Sequence, residues 1–267
     1  MNPFESVLLG LTQGLTEFIP VSSSGHLSIV REMLGVGGGG FHLFLEFINI
    51  GTLLALVVFF RKRIVGILGD VFVRKNYRLA VNILITSVPA GVVGLIGAKF
   101  IEETEFFGAL IAVAVAMGVV GVLMILVEKL PRMSRLKDEN GLSKPRALLI
   151  GLAQVFALIP GVSRSGATIL TGRTMGLNSK SAAEYSFLAS IPLMCGVVLK
   201  TFLSSSDRMY FVDNFWMLAL SNVVALVAGV VALRFLLKFL KRQGALQMFG
   251  WYRVVLACLV LIVVLIQ

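Results

Sequence analysis

The chain has 267 residues, of which 57% are hydrophobic and 14% charged, and its formal net charge is +10. Soluble domains carry about 25% charged residues, so this composition excludes an ordinary soluble protein. The lysines and arginines cluster in short segments between long apolar stretches, which is the positive-inside pattern of multispanning membrane proteins and not a nucleic-acid-binding pattern. We therefore expect an all-α integral membrane protein whose partners are membrane lipids and not nucleic acid.

The first apolar region, residues 3–35, is interrupted near its middle. The polar phrase EFIPVSSSGH at 17–26 separates two short apolar runs. A full transmembrane helix needs about 20 apolar residues, and each run has only about half that length. Proline and hydroxyl residues at membrane depth occur where protein covers the backbone or where they line a cavity. This region is predicted to form a re-entrant helical hairpin.

The remaining chain repeats the same arrangement. Six segments are long and apolar enough to cross a bilayer, at 41–60, 79–98, 107–128, 182–202, 215–235 and 248–267. A second interrupted region, 146–177, contains LIPGVSRSGAT and again combines a proline with Ser-x-Ser-Gly. We expect one membrane domain, 1–267, made of two halves at 1–130 and 146–267, each with one hairpin and three spans.

The charges of the connecting loops predict the orientation of the spans. Lysine and arginine dominate three connections, namely 61–78, 129–146 and the segment that follows residue 235. Acidic residues outnumber basic ones in two connections, namely 99–106 and 203–214. The first three are predicted to be cytoplasmic and the other two to lie outside. The two hairpins would then enter from opposite sides as an inverted-topology repeat, with their tips meeting near the bilayer midplane.

The two tips would place acidic and titratable groups opposite a cationic group. Arg164 can bind phosphate oxygens bidentately. The predicted substrate-binding residues lie in the two phrases and are Ser22, Ser24, Gly25, Ser163, Ser165, Gly166 and Thr168. Each Ser-Gly pair would begin a half-helix whose free N–H groups and positive dipole end attract an anion. The set suits a phosphate ester.

Three further residues are assigned chemical roles at the tips. Glu17, alone or with Gln13 one helical turn before it, can hold a divalent cation against the phosphates. His26 is the candidate for proton transfer. Ser23 is the best-placed nucleophile, with attack by water as the alternative.

Each assignment has a structural alternative. Glu17 and Arg164 can form a purely structural pair, and the serines and His26 can cap helices. Gln13 and Gln154 can simply hydrogen-bond between helices. Away from the tips, Arg234 is interpreted as a side chain that snorkels from a span end, and Tyr252 matches an aromatic-belt position.

Two phrases resemble the signatures of a known family. QGLTEFIPVSSSGH at 13–26 and PGVSRSGAT at 160–168 are similar to the two signatures of bacterial undecaprenyl-diphosphatases, the bacitracin-resistance phosphatases. The resemblance implies a multi-pass enzyme of the bacterial cytoplasmic membrane that hydrolyses undecaprenyl diphosphate to undecaprenyl phosphate and inorganic phosphate. That reaction would recycle the lipid carrier for cell-wall synthesis and give bacitracin resistance.

The resemblance also implies the roles of particular residues. It implies a site that opens to the outer side of the membrane and requires Mg²⁺ or Ca²⁺. The catalytic positions carried over by motif are Glu17, Ser23, His26 and Arg164. Glu17 is the expected metal ligand, with Gln13 at the motif's first acidic position as a tentative second. The sequence leaves a homodimer open.

Two rival functions follow from the same sequence. Inverted repeats with midplane hairpins are also a transporter architecture, so the chain could flip a polyprenyl phosphate lipid through the same site. The membrane phosphatases that use a phosphohistidine share a superficially similar Ser-Gly-His element. They need a second catalytic histidine in an Arg-x5-His-x3-Asp run, and this chain has only His26 and His42 and no such run.

Overall fold

The structure, a computed structural model, describes residues 2–36, 40–104, 109–130 and 136–266, and for residues 98–103 it describes the backbone only. The described residues form α-helices and two short 3-10 turns, with no strand among them, which confirms the predicted all-α fold. The helices are α1 (Pro3–Thr16), α2 (Ser23–Leu34), α3 (Phe41–Phe72), α4 (Arg78–Glu103), α5 (Leu110–Lys129), α6 (Lys144–Val155), α7 (Arg164–Thr174), α8 (Ser179–Leu203), α9 (Ser205–Asp213), α10 (Phe215–Phe239) and α11 (Ala245–Ile266). The 3-10 turns are Glu139–Gly141 and Phe156–Leu158.

Six described helices are long and apolar enough to cross a membrane. They are α3, the Arg78–Gly97 part of α4, α5, α8, α10 and α11. Each coincides with one of the six predicted spans, so the chain is a multi-pass membrane protein. The number and order of the spans are confirmed.

Two predicted loops contain helix instead. The first span was predicted to end at residue 60 and to be followed by a loop at 61–78, but α3 continues to Phe72. Arginine and lysine are good helix formers, so basic residues mark the membrane boundary without ending the helix. Arg63 on this extension pairs with the buried carboxylate of Glu139 at 2.6 Å. The segment 203–214 contains the short helix α9.

Part of the loop-charge prediction falls outside the described residues. This applies to Glu105, Arg132 and Arg135, and to the side chains of Lys99, Glu102 and Glu103. The side of the membrane on which each loop lies stays a prediction.

Both interrupted regions form a pair of short helices joined by a break, as expected. In the first, α1 and α2 flank residues 17–22, and in the second, α6 and α7 flank residues 156–163. The first helix of each pair begins with a proline in its first turn, and Asn2 and Glu5 add a reciprocal capping box to α1. That these pairs are re-entrant in a bilayer stays a prediction.

The two halves pack against each other reciprocally. Helix α1 packs on α10 of the second half, and α6 packs on α4 of the first half. Ser221 on α10 donates to the Ser6 carbonyl at 2.9 Å, and Thr86 on α4 donates to the Ala147 carbonyl at 2.9 Å. The same type of contact is thus made twice, while the division of the chain into two repeats stays a prediction.

Glycines allow these helices to approach closely. A Cβ on Gly10 would lie 2.4 Å from the Ser221 carbonyl oxygen, and one on Gly151 would lie 2.7 Å from the Thr86 carbonyl oxygen. Small residues at helix crossings are how membrane helices pack without a hydrophobic driving force. The main core cluster runs through both halves, and Phe18 and Phe187 meet in it edge to face at 5.6 Å.

Candidate active site

The repeated phrase folds into the same local structure twice. Ser22 and Ser163 precede α2 and α7, and both adopt a φ of 75°. Each hydroxyl accepts from the backbone N–H three residues later, Gly25 at 3.3 Å and Gly166 at 3.1 Å. A residue other than glycine at positive φ is uncommon and costs about 1–3 kcal/mol, so the surrounding contacts must impose this conformation.

The two tips touch each other. The Gly161 N–H donates to the Ser24 hydroxyl at 3.3 Å, and the Ser165 hydroxyl donates to the Glu17 carbonyl at 3.4 Å. The Arg164 guanidinium forms an ion pair with the Glu17 carboxylate. The structure therefore brings together the acid and the guanidinium that the sequence placed on separate hairpins.

Glu17 is the centre of the polar cluster. Its Oε1 accepts from Arg164 Nη2, while its Oε2 accepts from the Ser23 hydroxyl at 2.7 Å and from Gln13 Nε2 at 3.0 Å. Gln13 Nε2 also donates to Asn49 Oδ1 at 2.8 Å. The side chains of Glu17 and Arg164 are 11% and 17% exposed. Charge-assisted hydrogen bonds of this kind are roughly twice as strong as neutral ones, so the cluster holds its members in place.

His26 lies at the first tip but contacts other groups. Its Nδ1 lies 2.7 Å from the Ser22 carbonyl oxygen, and its Nε2 lies 2.7 Å from the Tyr252 hydroxyl. A carbonyl only accepts, so Nδ1 carries the proton and Nε2 of the neutral ring accepts from Tyr252. Burial lowers the pKa of His26, against the opposing effect of the bond to Ser22, and so favours this neutral form.

The candidate nucleophile, Ser23, is hydrogen-bonded to Glu17 and not to His26. Among the described contacts, the Ser23 hydroxyl bonds to Glu17 and none joins it to His26. Glu17 is therefore the nearest proton acceptor for Ser23. The role of His26 in proton transfer stays a prediction.

Arg253, which the sequence interpretation did not include, joins both tips. It lies on α11 and is fully buried. Its Nη1 donates to the Pro20 carbonyl at 3.2 Å, and its Nη2 donates to the Gly161 and Val162 carbonyls at 2.7 and 3.1 Å. Its Nε donates to the Met117 carbonyl on α5 at 3.1 Å. A helix break frees backbone carbonyls that lipid cannot satisfy, and this one guanidinium satisfies three of them.

Tyr252, interpreted from sequence as an aromatic-belt residue, is the neighbour of Arg253 and the partner of His26. Its ring stacks on the imidazole at 5.7 Å with an interplanar angle of 4°. A signal for this segment was present in the sequence, because an arginine inside an apolar span is expected to be functional or paired.

Several predicted binding residues are engaged within the protein. The Thr168 hydroxyl is buried and bonds to the Arg164 carbonyl at 2.8 Å and to the Ser186 hydroxyl at 2.5 Å. A Cβ on Gly25 would lie 2.4 Å from Met117 Sδ, so any larger residue there would require the Met117 side chain to move. The structural alternative for Gln154, a hydrogen bond between helices, is not observed, because neither of its buried amide atoms has a partner in the described structure.

The site offers limited ligation for a cation. No group of three or more His, Cys, Asp or Glu side chains occurs among the described residues, and Glu17 is the carboxylate at the tips. Mg²⁺ is commonly held by one or two carboxylates together with substrate phosphates. The residues present therefore fit an ion that arrives with a diphosphate, with Glu17 as its ligand and Gln13 beside it.

Comparison with known proteins finds one family model and several relatives that match nearly the whole chain. Residues 6–259 match the family model described as "Bacitracin resistance protein BacA". The chain is 33% identical to "Undecaprenyl-diphosphatase 2" of Paramagnetospirillum magneticum, over 98% of this chain and 99% of that protein. It is 36% identical to "Undecaprenyl-diphosphatase" of Pseudomonas syringae (96% and 92% covered) and 33% identical to that of Nitrosomonas europaea (97% and 93% covered).

Proposed function

The chain belongs to the BacA family of bacitracin resistance proteins, and we propose that it hydrolyses undecaprenyl diphosphate to undecaprenyl phosphate and inorganic phosphate. This activity would recycle the lipid carrier for cell-wall synthesis and give bacitracin resistance. The observation that carries the proposal is the cluster of Glu17, Ser23 and Arg164 where the two tips meet. It combines an anion-binding guanidinium with a hydroxyl bound to a proton acceptor.

Substrate binding would rearrange the ion pair. Arg164 uses one Nη2 hydrogen on Glu17, and guanidinium has further donors that suit phosphate oxygens bidentately. The caps Ser22 and Ser163 each satisfy one backbone N–H at the starts of α2 and α7. The other first-turn N–H groups are available to an anion, and the positive ends of the helix dipoles favour it. Together they would neutralise a diphosphate whose prenyl tail stays between helices.

The chemical step would use Ser23 or a water as nucleophile. The attacking oxygen bonds to the terminal phosphorus, its proton passes to Glu17 Oε2, and the bond from that phosphorus to the bridging oxygen breaks. Undecaprenyl phosphate leaves, with His26 and Tyr252 as the proposed route of a proton to it. If Ser23 attacks, a water oxygen then bonds to the phosphorus, the bond from phosphorus to the Ser23 oxygen breaks, and Ser23 regains a proton from Glu17 as inorganic phosphate leaves.

A divalent cation, Mg²⁺ or Ca²⁺, is proposed to bind between Glu17 and the diphosphate, where it would supply charge neutralisation. Charge developing on the phosphate oxygens is otherwise stabilised by Arg164 and by the fixed N–H dipoles of the tips. We further propose that the protein lies in the bacterial cytoplasmic membrane with its site open to the outer side.

A phosphate-release assay with purified protein in detergent micelles tests the proposal. We expect release from undecaprenyl diphosphate to require Mg²⁺ or Ca²⁺ and to stop on chelation. Arg164→Ala should reduce kcat/KM by about 10²-fold or more, because it removes a charged contact to the reacting phosphate. Arg208→Ala, at an exposed arginine on α9, is the matched control and should leave turnover unchanged. Near-normal turnover by Arg164→Ala would refute the phosphate-binding role.

The same assay separates hydrolysis from lipid flipping. The reciprocal packing of α1 on α10 and α6 on α4 is also expected of a transporter, and it favours a lipid flippase as the second candidate function. Micelles have no two sides, so a pure flippase would release no phosphate in them.

A further inference from the structure

A cleft between α3 and α10 lies at the surface and shares no residue with the tip site. Its volume is about 250 Å³. Its lining combines three cations with three apolar side chains and contains no described acid, and the residues are Val58, Phe59, Arg61, Lys62, Val230 and Arg234. Arg234, interpreted from sequence as a side chain that snorkels from a span end, belongs to this group of charges.

The three cations have no carboxylate partner in the described structure. The ion pairs described there involve other basic residues, among them Arg63, Arg74, Arg164 and Lys180. Arg61 makes only a long contact of 3.4 Å to the Val58 carbonyl of its own helix. Three exposed like charges around one cleft repel each other and attract an anion.

The order of the lining residues along the two helices matches a lipid molecule. Gly51 N–H donates to Asn222 Oδ1 at 2.5 Å, which fixes one level shared by α3 and α10. At 1.5 Å per residue, Val58 and Val230 lie about 11–12 Å further along their helices. Arg61 and Arg234 follow at about 15–18 Å from that level. Both helices therefore run in the same direction, and apolar side chains precede cations on both.

We propose that this cleft binds the phosphodiester headgroup of an anionic phospholipid, with the acyl chains along Val58, Phe59 and Val230. Arginine binds phosphate oxygens bidentately and is weakly hydrated, which suits a site at the membrane interface. Basic pockets between transmembrane helices are a recurrent type of lipid-headgroup site. In the proposed orientation the lipid belongs to the cytoplasmic leaflet, and the site is independent of the phosphatase reaction.

Native mass spectrometry of the purified full chain tests the site with phosphatidylglycerol and phosphatidylcholine of matched acyl chains. The wild type should bind phosphatidylglycerol about tenfold or more tighter than phosphatidylcholine. The variant Arg61→Gln/Lys62→Gln/Arg234→Gln should lose that preference. The control Lys75→Gln/Lys137→Gln/Lys144→Gln removes the same charge at exposed positions outside the cleft and should keep it.

Three outcomes would overturn the proposal. One is an equal loss of preference in the two triple variants, which would mean that overall charge attracts the lipid. A second is equal binding of the two phospholipids by the wild type. A third is binding of a polyprenyl monophosphate without phosphatidylglycerol, which would make the ligand a different lipid phosphate. If the triple variant is unstable, the single change Arg234→Gln should still weaken phosphatidylglycerol binding severalfold, and no change would count against the site.

Discussion

Arg253 holds the two tips together through backbone carbonyls alone. Arg253→Met would leave the three carbonyls at the tips without their described donor, and each such loss costs about 1–3 kcal/mol. We expect the unfolding temperature in detergent to fall by several degrees and phosphate release to fall with it. Arg253→Lys should recover part of the loss in kcat with little change in KM, because an ammonium still donates to carbonyls. The control is Arg208→Met on exposed α9, and a wild-type unfolding temperature for Arg253→Met would contradict the assignment.

His26 is expected to stay neutral at pH 7. Burial is the main reason that its pKa lies below the ordinary 6.5, the nearby charge of Arg253 acts in the same direction, and the bond to Ser22 opposes both. The chain has two histidines, so one variant, His42→Gln, assigns their signals in a ¹⁵N-histidine NMR titration. His26 should titrate below 6.5, and a midpoint above that value would show that the ring is stabilised in its charged form.

The sequence predicted the site residues that repeat or cluster and missed those that do not. Glu17 and Arg164 were found because each lies beside a proline-and-serine phrase. Tyr252 and Arg253 lie in the last span, about 90 residues from the second phrase, and no local pattern connects them to it. Only the packing of α11 against the tips reveals their contacts.

At the level of elements, the break before α7 depends on Gly161. This residue has a φ of 96°, and a Cβ there would lie 2.4 Å from the Val113 carbonyl oxygen. Gly161→Ala should therefore lower the unfolding temperature by several degrees and reduce turnover, through strain and a clash with α5. Gly196→Ala is the control, since nothing lies within 4 Å of its added Cβ and alanine favours helix. Equal unfolding temperatures for the two variants would contradict this account of the break.

Span number and the two breaks could be predicted from sequence because hydrophobic length and proline placement are local properties. The extension of α3 to Phe72 could not, since Arg61–Arg63 signal a membrane boundary and a helix end alike. Helix α9 was missed for a similar reason, because nine residues of mixed polarity have little periodicity.

At the scale of the whole molecule, α1 packs on α10 and α6 packs on α4, and that these belong to two related halves stays a prediction. The orientation proposed for them is tested by cysteine labelling. After replacement of Cys195 and Cys258 by serine, Ser206→Cys on α9 should react with a membrane-impermeant maleimide in intact cells. Lys75→Cys, in the connection after α3, should react only after lysis. The reverse labelling would contradict the predicted orientation of the spans.

The central claim is that two hairpin tips bind a lipid diphosphate between Arg164 and the Glu17–Ser23 pair. An experimental structure with a non-hydrolysable undecaprenyl diphosphate analogue and Mg²⁺ measures this directly. We predict phosphate oxygens within hydrogen-bonding distance of Arg164, and the terminal phosphorus beside the Ser23 hydroxyl. A diphosphate bound elsewhere, with the Glu17–Arg164 ion pair intact, would contradict the claim.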